Sequence, residues 1–153
     1  MMSTRLKDED ENLEKAREFH RKAIEEFKRA KEDNNNDVLF RDAAEKGWNA
    51  IVKATNYLIL TIMGKLPKTH KNRRDQLWRI GEENGAMKRY KLYERFNARE
   101  HILHELCFYD GIYEIDQVEY NIKKVKSYIK DIEKLTKGDR AKLNPEKSES
   151  KKR

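Results

Sequence analysis

The most constraining feature of this sequence is a run of apolar residues in its last third, spaced alternately by three and four positions. The run consists of Ile115, Val118, Ile122, Val125, Ile129 and Ile132. This spacing is the a/d pattern of a helix that packs one narrow apolar seam against other helices. Because the opposite face is charged, the helix cannot bury that seam by itself. The rest of the chain must supply partner helices.

Three other segments have apolar residues at helical spacing and are predicted to be those partners. They span residues 12–31, 37–63 and 87–109, and a shorter helix is predicted over residues 75–83. Only 6 Gly and 2 Pro occur in 153 residues, which is too few for the turns of a β-sandwich or barrel. We therefore predict an all-α protein, an up-and-down four-helix bundle with a short extra helix between the second and third long helices.

The second long helix is predicted to be the most central one. Small residues recur along its apolar face, and small residues let a neighbouring helix approach closely. They are Ala43, Ala44, Gly47, Ala50 and Ala54. Asn36 or Asp37 is expected to cap the start of this helix, and Gly64 and Pro67 are expected to end it.

The positive charge of the chain is unevenly distributed. A net charge of +7 arises from 35 Lys and Arg against 28 Asp and Glu, and it is concentrated in residues 65–91 and 137–153. We predict a helical domain over residues 1–136 and a basic disordered tail over residues 137–153. Residues 65–74 contain no acidic residue and are predicted to form an exposed basic loop. Since positive potential attracts polyanions, the candidate nucleic-acid-binding residues are Lys65, Lys68, Lys71, Arg73 and Arg74.

A polar residue in an apolar stripe is a functional candidate. Arg99 falls between Phe96 and Leu103 in the stripe of the third helix. A buried guanidinium costs several kcal/mol unless it is paired, so Arg99 should contact an acid, a carbonyl, a second copy of the chain or a bound phosphate. An internal pair with Glu18 or Asp42 is the structural alternative.

Residues 99–129 resemble the end of HEPN domains, which are nucleotide-binding helical bundles of higher eukaryotes and prokaryotes. The mark of that family is an arginine, four to six further residues, and a histidine. Arg99 and His104 fit with four residues between them, and Arg95 and His101 fit with five, so the sequence leaves both pairs open. Residues 12–135 are more particularly similar to the archaeal PaREP-type family of uncharacterised helical proteins.

The resemblance implies a site for RNA chemistry. In active HEPN proteins a histidine takes the proton of a 2′-hydroxyl and an arginine stabilises the charged transition state, without a metal. At 100 degrees per residue Arg99 and His104 lie about 140 degrees apart, so one helix brings both to one phosphate only with a bend or a long reach. A two-fold dimer would combine the two residues, and HEPN ribonucleases are similar in building their site across such an interface. Active members usually have a polar residue, often Asn, after the arginine, and here that residue is Glu100 or Phe96.

From this resemblance we expect a homodimeric binding protein that engages RNA, a nucleotide or a partner protein. Two alternatives stay open, namely a metal-independent endoribonuclease and the interaction partner of a minimal nucleotidyltransferase in a toxin–antitoxin pair. The phosphate-loop, dinucleotide and zinc-protease spacings GxxxxGK, GxGxxG and HExxH do not occur, and we expect neither a cofactor nor a metal.

The remaining sequence features bear on the cellular compartment of the protein. Cys107 is the only cysteine, which excludes an internal disulfide, and its place on an apolar stripe predicts a core residue. The longest apolar stretch, residues 54–63, is about half the length needed to cross a bilayer. The first residues are polar and acidic where a signal peptide has an apolar core. These features predict a cytoplasmic protein without a membrane helix.

Overall fold

The computed structural model describes the backbone of residues 4–143 and the side chains of residues 11–138. All regular secondary structure in this part of the chain is helical, which confirms the predicted all-α class. The α-helices are α1 (Thr4–Glu32), α2 (Asp37–Met63), α3 (His70–Glu83), α4 (Gly85–Arg89), α5 (Leu92–Arg99) and α6 (Ile115–Leu143). A π-helix over Glu100–Asp110 follows α5 directly.

Helix α2 begins and ends at the capping residues that were predicted from the sequence. The side chain of Asn36 accepts a hydrogen bond from the backbone N–H of Leu39 at 3.2 Å, which satisfies one of the free amides of the first turn. At the other end Gly64 has a φ of 77°, in the left-handed region that favours glycine, and its N–H donates to the carbonyl of Leu60. Both predicted ends of the helix are confirmed.

Helix α2 is the centre of the core. It contacts α1, α3, α5, α6 and the π-helix. The largest fully buried side chains come from several of these elements and include Phe40, Trp48, Ile51, Leu58, Phe96, Leu103, Ile122, Tyr128 and Ile132. Burying each of them stabilises the fold by about 1.5–3 kcal/mol. The predicted central position of this helix and the burial of its small residues are confirmed.

Gly47 of α2 lies where side chains of three neighbouring elements come together. A methyl group at this position would lie 3.4 Å from side-chain atoms of both Leu103 and Ile122 and 4.0 Å from Ala23. Three different elements therefore meet the same glycine, and any side chain larger than methyl would separate them.

The predicted third helix over residues 87–109 is wrong as a continuous element. Helix α4 closes with tight backbone bonds from the N–H groups of Tyr90 and Lys91 to the carbonyls of Met87 and Lys88. Lys91 then takes a left-handed conformation with a φ of 53°, which breaks the helix before α5 starts. After α5 the bonding changes to the wider i to i+5 pattern of the π-helix, which ends at Gly111 with a φ of 67°.

The predicted basic loop is shorter than expected. Thr69 accepts a hydrogen bond from the N–H of Asn72 at 3.0 Å and caps α3, so the helix begins at His70 instead of residue 75. Only residues 64–69 connect α2 to α3. Arg73, which was expected to be exposed, is instead 9% exposed because the helix turns it towards α2.

Helix α6 carries the predicted seam, with Val118, Ile122, Val125 and Ile132 buried. It extends to Leu143, so its last residues fall within the segment predicted as a tail, and residues 144–153 lie outside the described part of the chain. Among the helices described here, none has both the length and the hydropathy that a membrane crossing requires.

Candidate functional site

The π-helix and α2 hold one histidine in a fixed orientation. The Nδ1 atom of His104 lies 2.8 Å from Oε1 and 3.2 Å from Oε2 of Glu45. Because an ionised carboxylate only accepts hydrogen bonds, Nδ1 carries the proton and donates it. In the neutral ring Nε2 is therefore left with a free lone pair. The two side chains are 18% and 19% exposed, and burial raises the pKa of Glu45 while the bond from His104 opposes that shift.

Aromatic side chains fix the plane of the same ring. The indole of Trp48 stacks on His104 with centroids 5.6 Å apart and an angle of 27°. In a π-helix, residues five apart lie one above the other, and Tyr109 accordingly sits edge-on to His104 at 5.0 Å. Phe108 lies nearly parallel to the ring at 6.3 Å. The π-helical segment thus places the imidazole among three aromatic side chains.

A second histidine reaches this place from the start of α3. The ring of His70 meets Trp48 at 5.1 Å and His104 at 5.5 Å, each edge to face. A terminal nitrogen of Arg73 lies 2.9 Å from His70 Nδ1. Since a guanidinium only donates, Nδ1 of His70 accepts and its proton is on Nε2. Burial, and next the charge of Arg73, lower the pKa of His70, which agrees with a neutral ring.

The two histidines are thus held in opposite tautomers. His104 offers an acceptor at Nε2 and His70 offers a donor at Nε2, and neither Nε2 atom bonds to another side chain of the described residues. We call Glu45, Trp48, His70, Arg73 and His104 the histidine cluster. The cluster thus supplies one acceptor and one donor on rings whose centroids lie 5.5 Å apart.

Arg73 of the cluster and its neighbour Arg74 both form contacts that hold α3 in place. Arg73 also donates from Nε to the side-chain carbonyl of Asn56 at 2.8 Å, and burial lowers its pKa. Arg74 pairs with Glu100 at 2.7 Å. Glu100, at 8% exposure, takes the position in the apolar stripe that the sequence had given to Arg99. Both arginines therefore fix α3 against α2 and the π-helix.

The other predicted basic residues remain at the surface. Lys65 and Lys68 lie exposed in the segment before α3, and neither forms an ion pair with a described residue. Lys71 is exposed on α3 and pairs with Asp75 at 2.8 Å.

Neither predicted Arg/His pair shares a contact within one chain. Arg99 lies near Tyr120 and Tyr128 of α6, donates weakly to the carbonyl of Arg95 at 3.5 Å, and leaves its buried Nε without a partner. His104, in contrast, faces α2 and α3. Burial lowers the pKa of Arg99, and no carboxylate among the described residues pairs with it; the expected pair with Glu18 or Asp42 is absent there.

The alternative pair separates in the same way. Arg95 reaches α6, where it bonds Asp131 at 2.9 Å and lies over the ring of Tyr128. His101 is exposed and faces Glu105 of its own helix at 3.4 Å.

Two further residues of interest are accounted for by packing. Cys107 is fully buried in the core, as predicted, and burial raises the pKa of its thiol to about 12. The hydroxyl of Tyr113 donates to Asp37 at 2.6 Å and ties the end of the π-helix to α2. Within the described residues, no three His, Cys, Asp or Glu side chains converge as metal ligands would.

Sequence reasoning missed Glu45, Trp48 and His70 as site residues. His70 lies in the basic segment of residues 65–74 and Trp48 lies on the apolar face of α2, and neither position by itself indicates a site. Glu45 stands three residues before Trp48, at the edge of the apolar stripe of α2. This position is the one sequence feature that could have indicated Glu45 as a site residue. Comparisons with protein-family models, with curated proteins and with solved structures found no match for this chain.

Proposed function

We propose that this chain is an HEPN-like helical protein that binds RNA, with the histidine cluster as its contact to one ribose and the adjoining phosphate. The observation that carries the proposal is the pair of opposite tautomers. Nε2 of His104 is an acceptor for a 2′-hydroxyl proton, and Nε2–H of His70 is a donor for a phosphate oxygen. A 2′-hydroxyl is what distinguishes RNA from DNA at such a contact.

The charge around the cluster supports a polyanionic ligand. Lys65 and Lys68 precede α3 and are not neutralised by any described acid, while Arg73 adds a buried positive charge directly behind His70. Exposed lysines supply the salt-dependent attraction to phosphates, and the cluster supplies the contact that selects the sugar.

The experiment compares an RNA and a DNA oligonucleotide of the same sequence by fluorescence anisotropy. The unmodified protein should bind RNA about fivefold to tenfold more tightly than DNA, because one hydrogen bond contributes about 1–1.4 kcal/mol to the binding free energy. His104→Ala should abolish that preference. His101→Ala is the matched control, because His101 is an exposed histidine of the same π-helix, and it should change nothing. Equal binding of RNA and DNA by the unmodified protein would overturn the proposal.

The proposal also includes a specific bundle arrangement and a homodimer. We take α1, α2, α5 with the π-helix, and α6 as the four long elements of an HEPN-like up-and-down bundle, with α3 and α4 as the extra helical segment. The face that carries Arg99 is proposed as the homodimer contact. Its support is the half-buried Arg99 with an unpartnered Nε, next to Tyr120, which is 57% exposed.

Sedimentation velocity tests the dimer. The unmodified chain should sediment as a dimer, and Arg99→Glu should shift it to the monomer because a carboxylate removes the cation from that face. Arg89→Glu is the control, since Arg89 is an exposed arginine on α4. A monomeric unmodified chain, or an unchanged dimer in Arg99→Glu, would remove this part of the proposal.

A metal-independent endoribonuclease is the second candidate, and the carboxylate behind His104 favours it. In that reaction His104 Nε2 takes the 2′-hydroxyl proton, the 2′-oxygen attacks phosphorus, and the bond to the 5′-oxygen breaks as that oxygen gains a proton from water. The products are a 2′,3′-cyclic phosphate and a 5′-hydroxyl end. Arg99 would act only if a dimer brought it from the second copy.

The test of this candidate is incubation of RNA with the protein in EDTA. Cyclic-phosphate products that disappear in His104→Ala and persist in His101→Ala would establish it. Intact RNA in the presence of the unmodified protein would remove the ribonuclease and leave the binding function.

A further inference from the structure

Tyr109 presents an open aromatic ring beside the histidine cluster. It is 65% exposed, while its ring meets His104 at 5.0 Å and Phe108 at 5.3 Å, each edge to face. The other two aromatic side chains around His104 are less accessible, because Trp48 is 1% exposed and Phe108 is partly buried. Among these three residues, only Tyr109 offers a ring face that a ligand can cover.

The backbone that carries this ring is held by Arg41 of α2. Its guanidinium donates to the carbonyl of Phe108 from Nε at 3.1 Å and from Nη2 at 2.7 Å, and to the carbonyl of Tyr109 from Nη2 at 3.0 Å. Carbonyls at the end of a helix have no partner within it, so these bonds satisfy them. Arg41 stands one turn before Glu45, and α2 therefore fixes both His104 and Tyr109. A ring that is already ordered loses little conformational entropy when it binds a ligand.

A ribose bound at His104 would bring its base close to this ring. In the proposed contact, the 2′-hydroxyl of one nucleotide meets Nε2 of His104. The base is attached to the ribose carbon next to the one that carries this hydroxyl, so the base lies close to the imidazole as well. Tyr109 is an exposed ring in contact with that imidazole. Stacking of a base on an aromatic side chain tightens binding by about fivefold to a hundredfold.

We propose that Tyr109 stacks on the base of the nucleotide whose ribose is held by His104. The inference rests on the RNA-binding function above and adds a second contact to the same nucleotide. Every base has a π face, so this contact requires a base and tolerates its identity. It also requires a base that is free to leave its neighbours, as in single-stranded RNA. The substrate class is thus single-stranded RNA bound without a strong sequence preference.

The test compares oligoadenylate with an oligomer of equal length that keeps the phosphates and the ribose 2′-hydroxyls but lacks the bases. By fluorescence anisotropy, the unmodified protein should bind oligoadenylate about fivefold more tightly or better. Tyr109→Ala should abolish this difference by weakening oligoadenylate alone, and Tyr109→Phe should keep it because the ring remains. Trp78→Ala is the matched control and should also keep the difference. Trp78 is an aromatic residue of α3 that is 53% exposed and packs on Tyr93 instead of the cluster.

The outcomes separate this inference from the function on which it rests. Tyr109→Ala should keep the preference for RNA over DNA, which depends on His104, and lose only the contribution of the bases. Equal binding of RNA and DNA by the unmodified protein overturns the ribose contact itself. A preference for RNA with no gain from the bases overturns the role of Tyr109 alone. An advantage of oligoadenylate that survives Tyr109→Ala, or one that disappears in Trp78→Ala, overturns the assignment to Tyr109 as well.

Discussion

The hydrogen bond between Glu45 and His104 can be tested quantitatively by a double-mutant cycle that measures the free energy of unfolding. The perturbations are Glu45→Ala, His104→Ala and both together. The bond is 2.8 Å long and its side chains are 19% and 18% exposed, so water replaces it only in part. A hydrogen bond to a charged group contributes about 1.5–3 kcal/mol when buried, and this exposure reduces the expected coupling to about 1–1.5 kcal/mol.

The assay is urea unfolding followed by far-UV circular dichroism, with the free energy of unfolding obtained for all four proteins. His101 and Glu105 provide an internal control on the same π-helix. Their contact is 3.4 Å long and the side chains are 61% and 54% exposed. Their cycle should give a coupling of no more than about 0.5 kcal/mol. The losses in unfolding free energy of Glu45→Ala and His104→Ala are summed and compared with the loss in the double variant. Agreement within about 0.3 kcal/mol would refute the claim that Glu45 orients His104.

Three further predictions test the core and its titrating groups. Phe96→Ala removes a fully buried ring 4.9 Å from Trp48 and should lower the free energy of unfolding by about 3–5 kcal/mol, measured in urea. Burial lowers the pKa of His70, so the unfolded chain binds the proton more readily and stability should fall as the pH drops below about 6.5; His70→Gln should flatten this loss. Cys107, with a pKa raised to about 12, should react with a thiol reagent only at the rate of unfolding, and fast labelling of the native protein would contradict its burial.

The parts of the fold that were predictable are those controlled by neighbouring residues. The ends of α2 follow from Asn36 and Gly64, whose effects act within one turn of helix. The seam of α6 follows from its spacing alone. These features need no knowledge of what lies elsewhere in the chain.

The π-helix was not predictable in this way. A stripe drawn at the α-helical period put Arg99 in the core, whereas the structure buries Glu100 and turns Arg99 towards α6. In the π-helix each backbone hydrogen bond spans five residues instead of four, so the rotation per residue is smaller than 100 degrees. The error in a side chain's predicted direction therefore grows with each π-helical residue. Thr69 had a similar effect on α3, because its cap starts the helix early and turns Arg73 inward.

The candidate site was even less accessible from the sequence. Glu45 and His104 are 59 residues apart, and only the packing of the π-helix against α2 brings them together. His70 arrives from a third element. Spacing within one helix reveals neighbours three or four residues away and carries no information on such contacts.

The most direct test of the central claim is a nitrogen-15 NMR spectrum of the imidazole rings at neutral pH, recorded with and without an RNA oligonucleotide. We predict a proton on Nδ1 of His104 and on Nε2 of His70. Addition of RNA should shift both Nε2 resonances, and an equal amount of DNA should not reproduce the shift for His104. The resonances of the exposed His101 serve as the reference. The same tautomer in both rings, or Nε2 resonances that stay unmoved when RNA binds, would contradict this prediction.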